Sequence, residues 1–175
     1  MNFTKKEIKL FIISGKARSG KDEVSKIIKN YYKEKKSITI SFAYYLKDYI
    51  KRIYGNFLEK PRDILQEMGI DLIKNKIDNK LLINRIIQDI EVFSYFYDII
   101  IVSDARLIDE IESLKKTYNK SISIRINRDD FDNGLTKEQK RHITEVDLDN
   151  YNGFDYIINN SENLEKEVIE ILRSV

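Results

Sequence analysis

The sequence contains no cysteine and no tryptophan, and it has only one proline, one histidine and six glycines in 175 residues. Without cysteine there are no disulfides, no thiolate metal sites and no cysteine nucleophile. The single histidine lacks the partner residues that nucleophilic or metal chemistry requires. No apolar run reaches membrane-spanning length, and residues 8–13 are too few for the core of a signal peptide. We therefore expect a cytoplasmic protein that has no membrane partner.

The sequence also lacks an excess of charge, because 31 basic residues accompany 29 acidic ones and the formal net charge is +2. This balance predicts no stable nucleic-acid partner and a local site for any anionic ligand. The lysine-rich stretch 26–36 is more simply a solvated helix face than a nucleic-acid site. An apolar content of 42%, with no proline-rich or glycine-rich linker, favours a single domain over residues 1–175. The sequence leaves open whether the chain forms a homodimer.

Apolar runs alternate with segments of helical periodicity along most of the chain. Such alternation predicts crossover connections and a mostly parallel sheet covered on both faces, which is a three-layer α/β/α fold with five strands. Pro61 suits the first turn of one helix. The predicted strands cover residues 8–14, 37–42, 98–103, 121–127 and 156–158. The predicted helices cover residues 21–35, 44–54, 62–74, 80–96, 107–118 and 163–173.

Residues 15–22 read Gly-Lys-Ala-Arg-Ser-Gly-Lys-Asp and lie between a predicted strand and a predicted helix. The glycines and the lysine have the spacing of a Walker A motif, or P-loop, whose backbone N–H groups hold phosphates at a helix N-terminus. In such a loop Lys21 reaches the terminal phosphates of ATP. The alternative, a lysine-rich turn that begins a surface helix, is disfavoured by this context. The predicted ATP-binding residues are Gly15, Lys16, Ala17, Arg18, Ser19, Gly20, Lys21, Asp22 and Glu23.

Asp22 stands where a P-loop normally has the serine or threonine that binds Mg²⁺. A carboxylate suits this hard cation, so Asp22 is a candidate metal ligand. The alternative is that Asp22 only favours the positive end of the following helix, and both interpretations stay open. For Glu23 the helix-end interpretation is preferred.

Four segments beyond the P-loop carry polar residues at distinctive spacing: Ser41-Phe42-Ala43 with Leu46-Lys47-Asp48; Arg62 with Leu65, Gln66, Gly69, Asp71 and Leu72; Ser103-Asp104-Ala105-Arg106; and His142-Ile143-Thr144-Glu145. In this order the sequence resembles the deoxynucleoside monophosphate kinases of the bacteriophage type and, more distantly, animal phosphomevalonate kinase. Both have Gly-Lys-Asp in the P-loop, whereas Glu23 departs from the threonine often found there. The resemblance covers most of the chain and implies the P-loop NTPase fold of a nucleoside monophosphate kinase.

The resemblance also implies where a phosphoryl acceptor binds. It places a helical acceptor-binding region at residues 43–97. Within it, an arginine and a glutamine of one helix face the substrate. The implied acceptor-binding residues are Phe42, Ala43, Lys47, Arg62, Gln66, Arg106, His142 and Glu145.

Phosphoryl transfer requires cations and Mg²⁺ ligands more than covalent chemistry, so Lys21, Asp104, Arg106 and Arg128 are the predicted catalytic residues. Asp104 ends a buried apolar run, where ligands gather beside a parallel sheet, and is a second candidate Mg²⁺ ligand; the alternative is that it caps a helix. Arg106 has the geometry to grip a phosphate, or else forms a surface salt bridge. Residues 128–141 are either a short lid that brings Arg128 to the phosphates or a solvated loop.

The leading hypothesis is an ATP- and Mg²⁺-dependent phosphotransferase that acts on a (deoxy)nucleoside monophosphate, with small-molecule nucleotides as its partners. One alternative is a kinase of another phosphorylated small molecule, such as phosphomevalonate. A second is a regulatory module that binds ATP without transferring phosphate, which Asp22 and Glu23 motivate.

Overall fold

A computed structural model of the protein describes residues 3–55, 62–128 and 131–175 and contains one parallel sheet of five strands. The strands are β1 (Lys9–Ser14), β2 (Ser37–Ile40), β3 (Ile99–Ala105), β4 (Ile122–Asn127) and β5 (Tyr156–Asn159). Their order across the sheet is β2-β3-β1-β4-β5, so β1 is central. It pairs with β3 through Lys9 and Ile99 and with β4 through Phe11 and Ile122. The carboxyl ends of β1, β3 and β4 therefore meet at one edge.

Helices cover both faces of the sheet. Over the described residues they are α1 (Lys21–Tyr31), α2 (Phe42–Tyr54), α3 (Arg62–Gln66), α4 (Leu81–Phe93), α5 (Ile108–Thr117), α6 (Lys137–Arg141), α7 (Ile143–Val146) and α8 (Leu164–Ser174). The helix that begins as α3 continues as a π-helical segment, Glu67–Ile77. None of the described helices is long and apolar enough to cross a membrane.

The unbroken apolar runs of the central strands follow from burial on both faces. On β1, Phe11 and Ile13 pack with α1 and α8, whereas Leu10 and Ile12 pack with α2, α4 and α5. On β3, Ile101 and Val102 divide between the same two clusters. This confirms the predicted three-layer fold with five parallel strands.

Several predicted boundaries were wrong. The second strand ends at Ile40, because the Ser41 hydroxyl accepts a hydrogen bond from the N–H of Tyr44 and begins α2 at Phe42. The first helix ends at Tyr31, and helix α4 is shorter than its predicted range of 80–96. The polar segment 128–141 contains helix α6, which Thr136 and Gln139 cap reciprocally. The role predicted for Pro61 lies outside the described residues.

Candidate active site

The P-loop turns tightly between β1 and α1. Gly15 has φ +152° and Gly20 has φ +107°, and a Cβ atom on Gly15 would lie 2.5 Å from the carbonyl oxygen of Ile126. A Cβ atom on Gly20 would lie 2.4 Å from Nδ2 of Asn160, which donates a hydrogen bond to the carbonyl of Ser19. The two glycines are therefore required by close packing against β4 and the loop after β5.

Lys21 lies at the first position of α1 with its ammonium group turned back over the loop. Its Nζ donates to the carbonyl oxygens of Gly15 at 2.8 Å and Lys16 at 2.7 Å. Burial, reinforced by the positive charge of Arg106, lowers the pKa of Lys21 to about 8, against the opposing influence of nearby carboxylates that include Glu145. A phosphate group would offer this partly desolvated ammonium a stronger partner than the two carbonyls.

Asp104, near the end of β3, holds the start of α2. Its Oδ1 accepts from the N–H of Phe42 at 2.8 Å, and its Oδ2 accepts from the N–H of Ala43 at 2.9 Å. Burial raises the pKa of this carboxyl group. The sequence left open a helix-capping role for Asp104, and the structure gives it one, on α2 instead of the helix that follows β3.

Glu145 joins α3 and the residue after β3 to the P-loop. Its side chain is only 2% exposed and accepts hydrogen bonds from the guanidinium groups of Arg62 and Arg106. The other carboxylate oxygen accepts from the backbone N–H of Ala17 at 3.1 Å. Three segments that are distant in the sequence therefore converge on one buried carboxylate.

Glu110 fixes the backbone from which Arg106 extends. Its Oε2 accepts from the N–H of Arg106 at 2.7 Å and from that of Leu107 at 3.1 Å. Burial raises the pKa of Glu110 to about 8. This residue was not among the sequence predictions, although a glutamate at the third position of a helix is a known capping signal.

His142 and Thr144 organise the short helix α7 that carries Glu145. Nδ1 of His142 accepts from the N–H of Thr144 at 3.3 Å and lies 2.9 Å from its hydroxyl. Gln66 of α3 donates to the same hydroxyl at 3.3 Å. His142 therefore helps to hold α7 in place.

A cavity of about 160 Å³ lies between α2, α3, the π-helical segment and the end of β3. Of the predicted acceptor residues, Phe42, Ala43, Arg62, Gln66 and Arg106 line it. Lys47 is exposed on α2 and is not among the lining residues. Half of the lining residues are apolar and half are polar or charged, and the apolar ones contribute most of the exposed wall, as in many small-molecule sites.

A more polar cavity of about 490 Å³ lies on the other side of the P-loop, beside β4 and β5. Lys16 and Arg125 contact the two carboxylate oxygens of Asp149, at 2.9 Å and 3.0 Å. Arg128 donates to the carbonyl oxygen of Arg18 at 3.3 Å, and its guanidinium group lies 3.6 Å from the ring centre of Phe131. The structure therefore brings Arg128 against the P-loop, as the strand order predicts.

Asp22 and Glu23 are both exposed at the start of α1, and Glu23 pairs with Lys26 at 3.6 Å. Over the described residues, no group of three or more acidic, histidine or cysteine side chains could hold a metal ion. Mg²⁺ is commonly bound through one or two carboxylates together with substrate phosphates and water. The exposed carboxylate of Asp22, next to Lys21, fits such a site, whereas both oxygens of Asp104 already accept backbone N–H groups.

The sheet order and the P-loop together define the fold of a P-loop NTPase. The APS kinase CysC from Mycobacterium tuberculosis, in complex with AMPPNP and APS, has a TM-score of 0.60 at 11% identity over 96% of this chain and 97% of that chain. The shikimate kinase from Bacteroides thetaiotaomicron has a TM-score of 0.54 at 12% identity, over 96% and 98% of the two chains. At these identities the likeness shows the fold alone.

A family model, deoxynucleotide monophosphate kinase, matches residues 60–171, and the chain belongs to this family. None of the curated proteins matches this chain. The family and fold together confirm the expectation of a kinase, an enzyme that transfers a phosphoryl group.

Proposed function

We propose that the protein transfers the γ-phosphoryl group of ATP to a deoxynucleoside monophosphate, as a step of deoxynucleotide metabolism. The observation that carries this proposal is the convergence on Glu145, where the P-loop meets Arg62 and Arg106 beside the acceptor cavity. A donor phosphate on the loop and an acceptor phosphate on the arginines would then be neighbours. A cytoplasmic location stays a prediction of the sequence.

The donor side consists of the P-loop N–H groups, Lys21 and Arg128. Lys21 would exchange its two carbonyl partners for the terminal phosphates, and Arg128, already in contact with the loop, would add positive charge. Residues 128–141 would serve as a short lid over ATP, with Arg18 and Gly134 already in close proximity.

On the acceptor side, residues 43–97 would surround the nucleotide, and Arg62 and Arg106 would bind its phosphate. An oxygen of this phosphate attacks the γ-phosphorus, the bond from the γ-phosphorus to the bridging oxygen breaks, and ADP leaves with the electron pair. The acceptor phosphate is already an anion, so the step needs positioning and charge neutralisation more than a general base. Glu145 and His142 would act as positioning residues.

Asp22 would hold Mg²⁺, with Asp104 as the second carboxylate near the phosphates. When bound, the ion would neutralise the charge that develops on the phosphate oxygens. Because Asp104 also holds the start of α2, its loss would alter the acceptor wall as well.

The proposal is tested by ADP production from ATP and Mg²⁺ with a panel of deoxynucleoside and nucleoside monophosphates and phosphomevalonate. We expect turnover with a deoxynucleotide, and a loss of about a hundredfold or more in kcat/KM for Lys21→Ala and Arg106→Ala. The matched controls are Lys26→Ala on α1 and Arg52→Ala on α2, whose side chains are 71% and 74% exposed. Turnover with phosphomevalonate alone would identify phosphomevalonate as the acceptor in place of a deoxynucleotide. ATP binding without any transfer would contradict the proposed reaction.

A further inference from the structure

The side chain of Asn160 joins the end of the sheet to the P-loop. Asn160 directly follows β5, and its backbone N–H donates to the carbonyl oxygen of Asn127 at 2.7 Å, so the pairing of β5 with β4 extends to this residue. Its side-chain Nδ2 donates to the carbonyl oxygen of Ser19 at 2.9 Å. The sheet therefore holds the backbone of a residue whose side chain contacts the loop, and the proposed function gives this residue no role.

The bond from Asn160 fixes the peptide that joins Ser19 to Gly20. This peptide is trans, so its carbonyl and its N–H point in opposite directions. Because the carbonyl of Ser19 is turned toward Asn160, the N–H of Gly20 points away from Asn160. That N–H donates to no acceptor within the described part of the chain. It is therefore available to a ligand of the loop.

The N–H of Gly20 belongs to the N-terminus of α1. The carbonyl oxygen of Gly20 accepts from the N–H of Glu23 at 3.0 Å and from that of Val24 at 3.1 Å, so Gly20 is the cap residue of this helix. Backbone N–H groups at a helix N-terminus form a site for phosphate. A donor phosphate on the loop would accept a hydrogen bond from Gly20, provided that the peptide keeps its direction.

The conformation of Gly20 leaves this peptide easy to turn over. Gly20 has φ +107°, and a glycine adopts positive and negative φ about equally readily. A turned peptide would aim the carbonyl oxygen of Ser19 at the phosphate oxygens, which would repel it, and would remove one N–H donor. A bulkier residue cannot replace Gly20, because a Cβ atom there would lie 2.4 Å from Nδ2 of Asn160. The restraint therefore comes from outside the loop, through the hydrogen bond of Asn160.

Resting on the proposed function, we propose that Asn160 is a positioning residue of the donor site and aims the N–H of Gly20 at the phosphates of ATP. The carbonyl of Ser19 can only accept, so the position requires a side-chain donor. An ionised aspartate has the shape of asparagine but offers only acceptors, and it would face the carbonyl with a negative charge. A purely structural clamp would change the stability of the protein without changing what the N–H of Gly20 binds.

The first test is the binding of ATP with Mg²⁺ to the full chain in the absence of an acceptor. The variants are Asn160→Ala and Asn160→Asp, and the controls are the same two changes at Asn159, the exposed last residue of β5. We expect both Asn160 variants to weaken ATP binding by about tenfold to a hundredfold, and the controls to change it far less. Binding of a deoxynucleoside monophosphate should stay the same, because Asn160 does not line the acceptor cavity.

A second measurement reports on the N–H of Gly20 itself. Of the six glycines, Gly15 and Gly20 are the two that follow a serine. Labelling the serine carbonyl with ¹³C and glycine with ¹⁵N by cell-free synthesis therefore selects these two amides in an NMR spectrum, and Ser19→Ala removes the signal of Gly20 and so assigns it. We expect saturating ATP to move the Gly20 amide proton downfield, because it donates to a phosphate oxygen. Asn160→Ala should lose most of this shift, whereas a variant that is only less stable would keep it in its folded fraction.

Binding, the NMR shift and turnover separate the role of Asn160 from the proposed reaction. The expected loss of affinity and of the Gly20 shift, in a protein that transfers phosphate to no acceptor, would support the role of Asn160 and overturn the reaction. Unchanged ATP affinity in Asn160→Ala would overturn the role of Asn160 even if the wild type transfers phosphate, as would a full Gly20 shift in that variant. An equal loss of affinity in Asn159→Asp and Asn160→Asp would overturn it as well, because added charge alone would then explain the loss.

Discussion

The ammonium of Lys21 ionises near pH 8, well below the usual range of a lysine. Its pKa of about 8 means that the free enzyme loses this charge as the pH rises through 8. We therefore expect kcat/KM for ATP to fall above about pH 8. The decline in kcat should occur at higher pH, because bound triphosphate stabilises the ammonium form.

The control is Lys21→Arg, whose guanidinium group stays charged. The activity of this variant, although lower, should show no decline near pH 8. A decline identical to that of the wild type would assign the ionisation to another group.

The ionisation of Lys21 acts on the stability of the protein in the opposite direction. Because the pKa of Lys21 in the folded protein is below its ordinary value of 10.5, its contribution to the free energy of unfolding rises with pH between these two values.

Glu110 gives a second pH dependence with the other sign. Its pKa of about 8 in the folded protein exceeds its ordinary value of 4.5, so its contribution to the free energy of unfolding is complete below pH 4.5 and is lost as the pH rises through 8. Glu110→Gln keeps an oxygen acceptor for the Arg106 N–H and removes the ionisation. Urea unfolding at pH 5 and pH 8 should show a smaller decrease in this variant than in the wild type. An equal decrease would mean that Glu110 does not ionise over this range.

At the scale of elements, the turn from β1 to α1 depends on its glycines for packing as well as for backbone conformation. Gly15→Ala would force Cβ against the backbone of Ile126, whereas an added Cβ on Gly55, with φ +80°, would have no atom of the described residues within 4 Å. Gly55→Ala is therefore a matched control, in which backbone strain alone should lower the free energy of unfolding by about 1 kcal/mol. We expect Gly15→Ala to lower the free energy of unfolding by at least about 2 kcal/mol more, measured by urea denaturation. Equal losses would show that the loop can move away from β4.

The elements also show how far the sequence could predict the structure. Strands β1 and β3 were predicted correctly, because a strand that is buried on both faces has a continuous apolar sequence. The start of α2 was predicted two residues late, because it depends on Asp104, about sixty positions later in the chain, as well as on the local cap of Ser41. The same limit applies to the site: the P-loop is a local motif, whereas the contacts of Glu145 with Arg62, Arg106 and Ala17 depend on tertiary packing.

At the scale of the whole molecule, Glu145 is the point at which the acceptor helices, the sheet and the P-loop are joined. Removing one partner of a buried charge cluster leaves the others uncompensated. Glu145→Ala should therefore lower the free energy of unfolding by about 3 kcal/mol. The control is Glu7→Ala, which removes the 82% exposed partner of Lys120 and should change nothing measurable.

A second measurement distinguishes lost packing from the release of the two arginines. Inorganic phosphate should raise the melting temperature of Glu145→Ala more than that of the wild type, because the freed guanidinium groups can bind an anion. Equal increases would indicate that Glu145 does not compete with phosphate for the arginines.

The position of β1 at the centre of the sheet has a consequence for how the chain reaches its native state. Lys9 pairs with Ile99 and Phe11 pairs with Ile122, so the first strand to be synthesised waits about ninety residues for its first neighbour and longer for its second. Until then, the side chains of Phe11, Ile12 and Ile13, which are fully buried in the folded protein, have no sheet to cover them. Pairing over such long separations is slow and leaves apolar surface open to aggregation. On the ribosome, the strand that ends in the P-loop thus stays without a sheet partner until β3 has been synthesised.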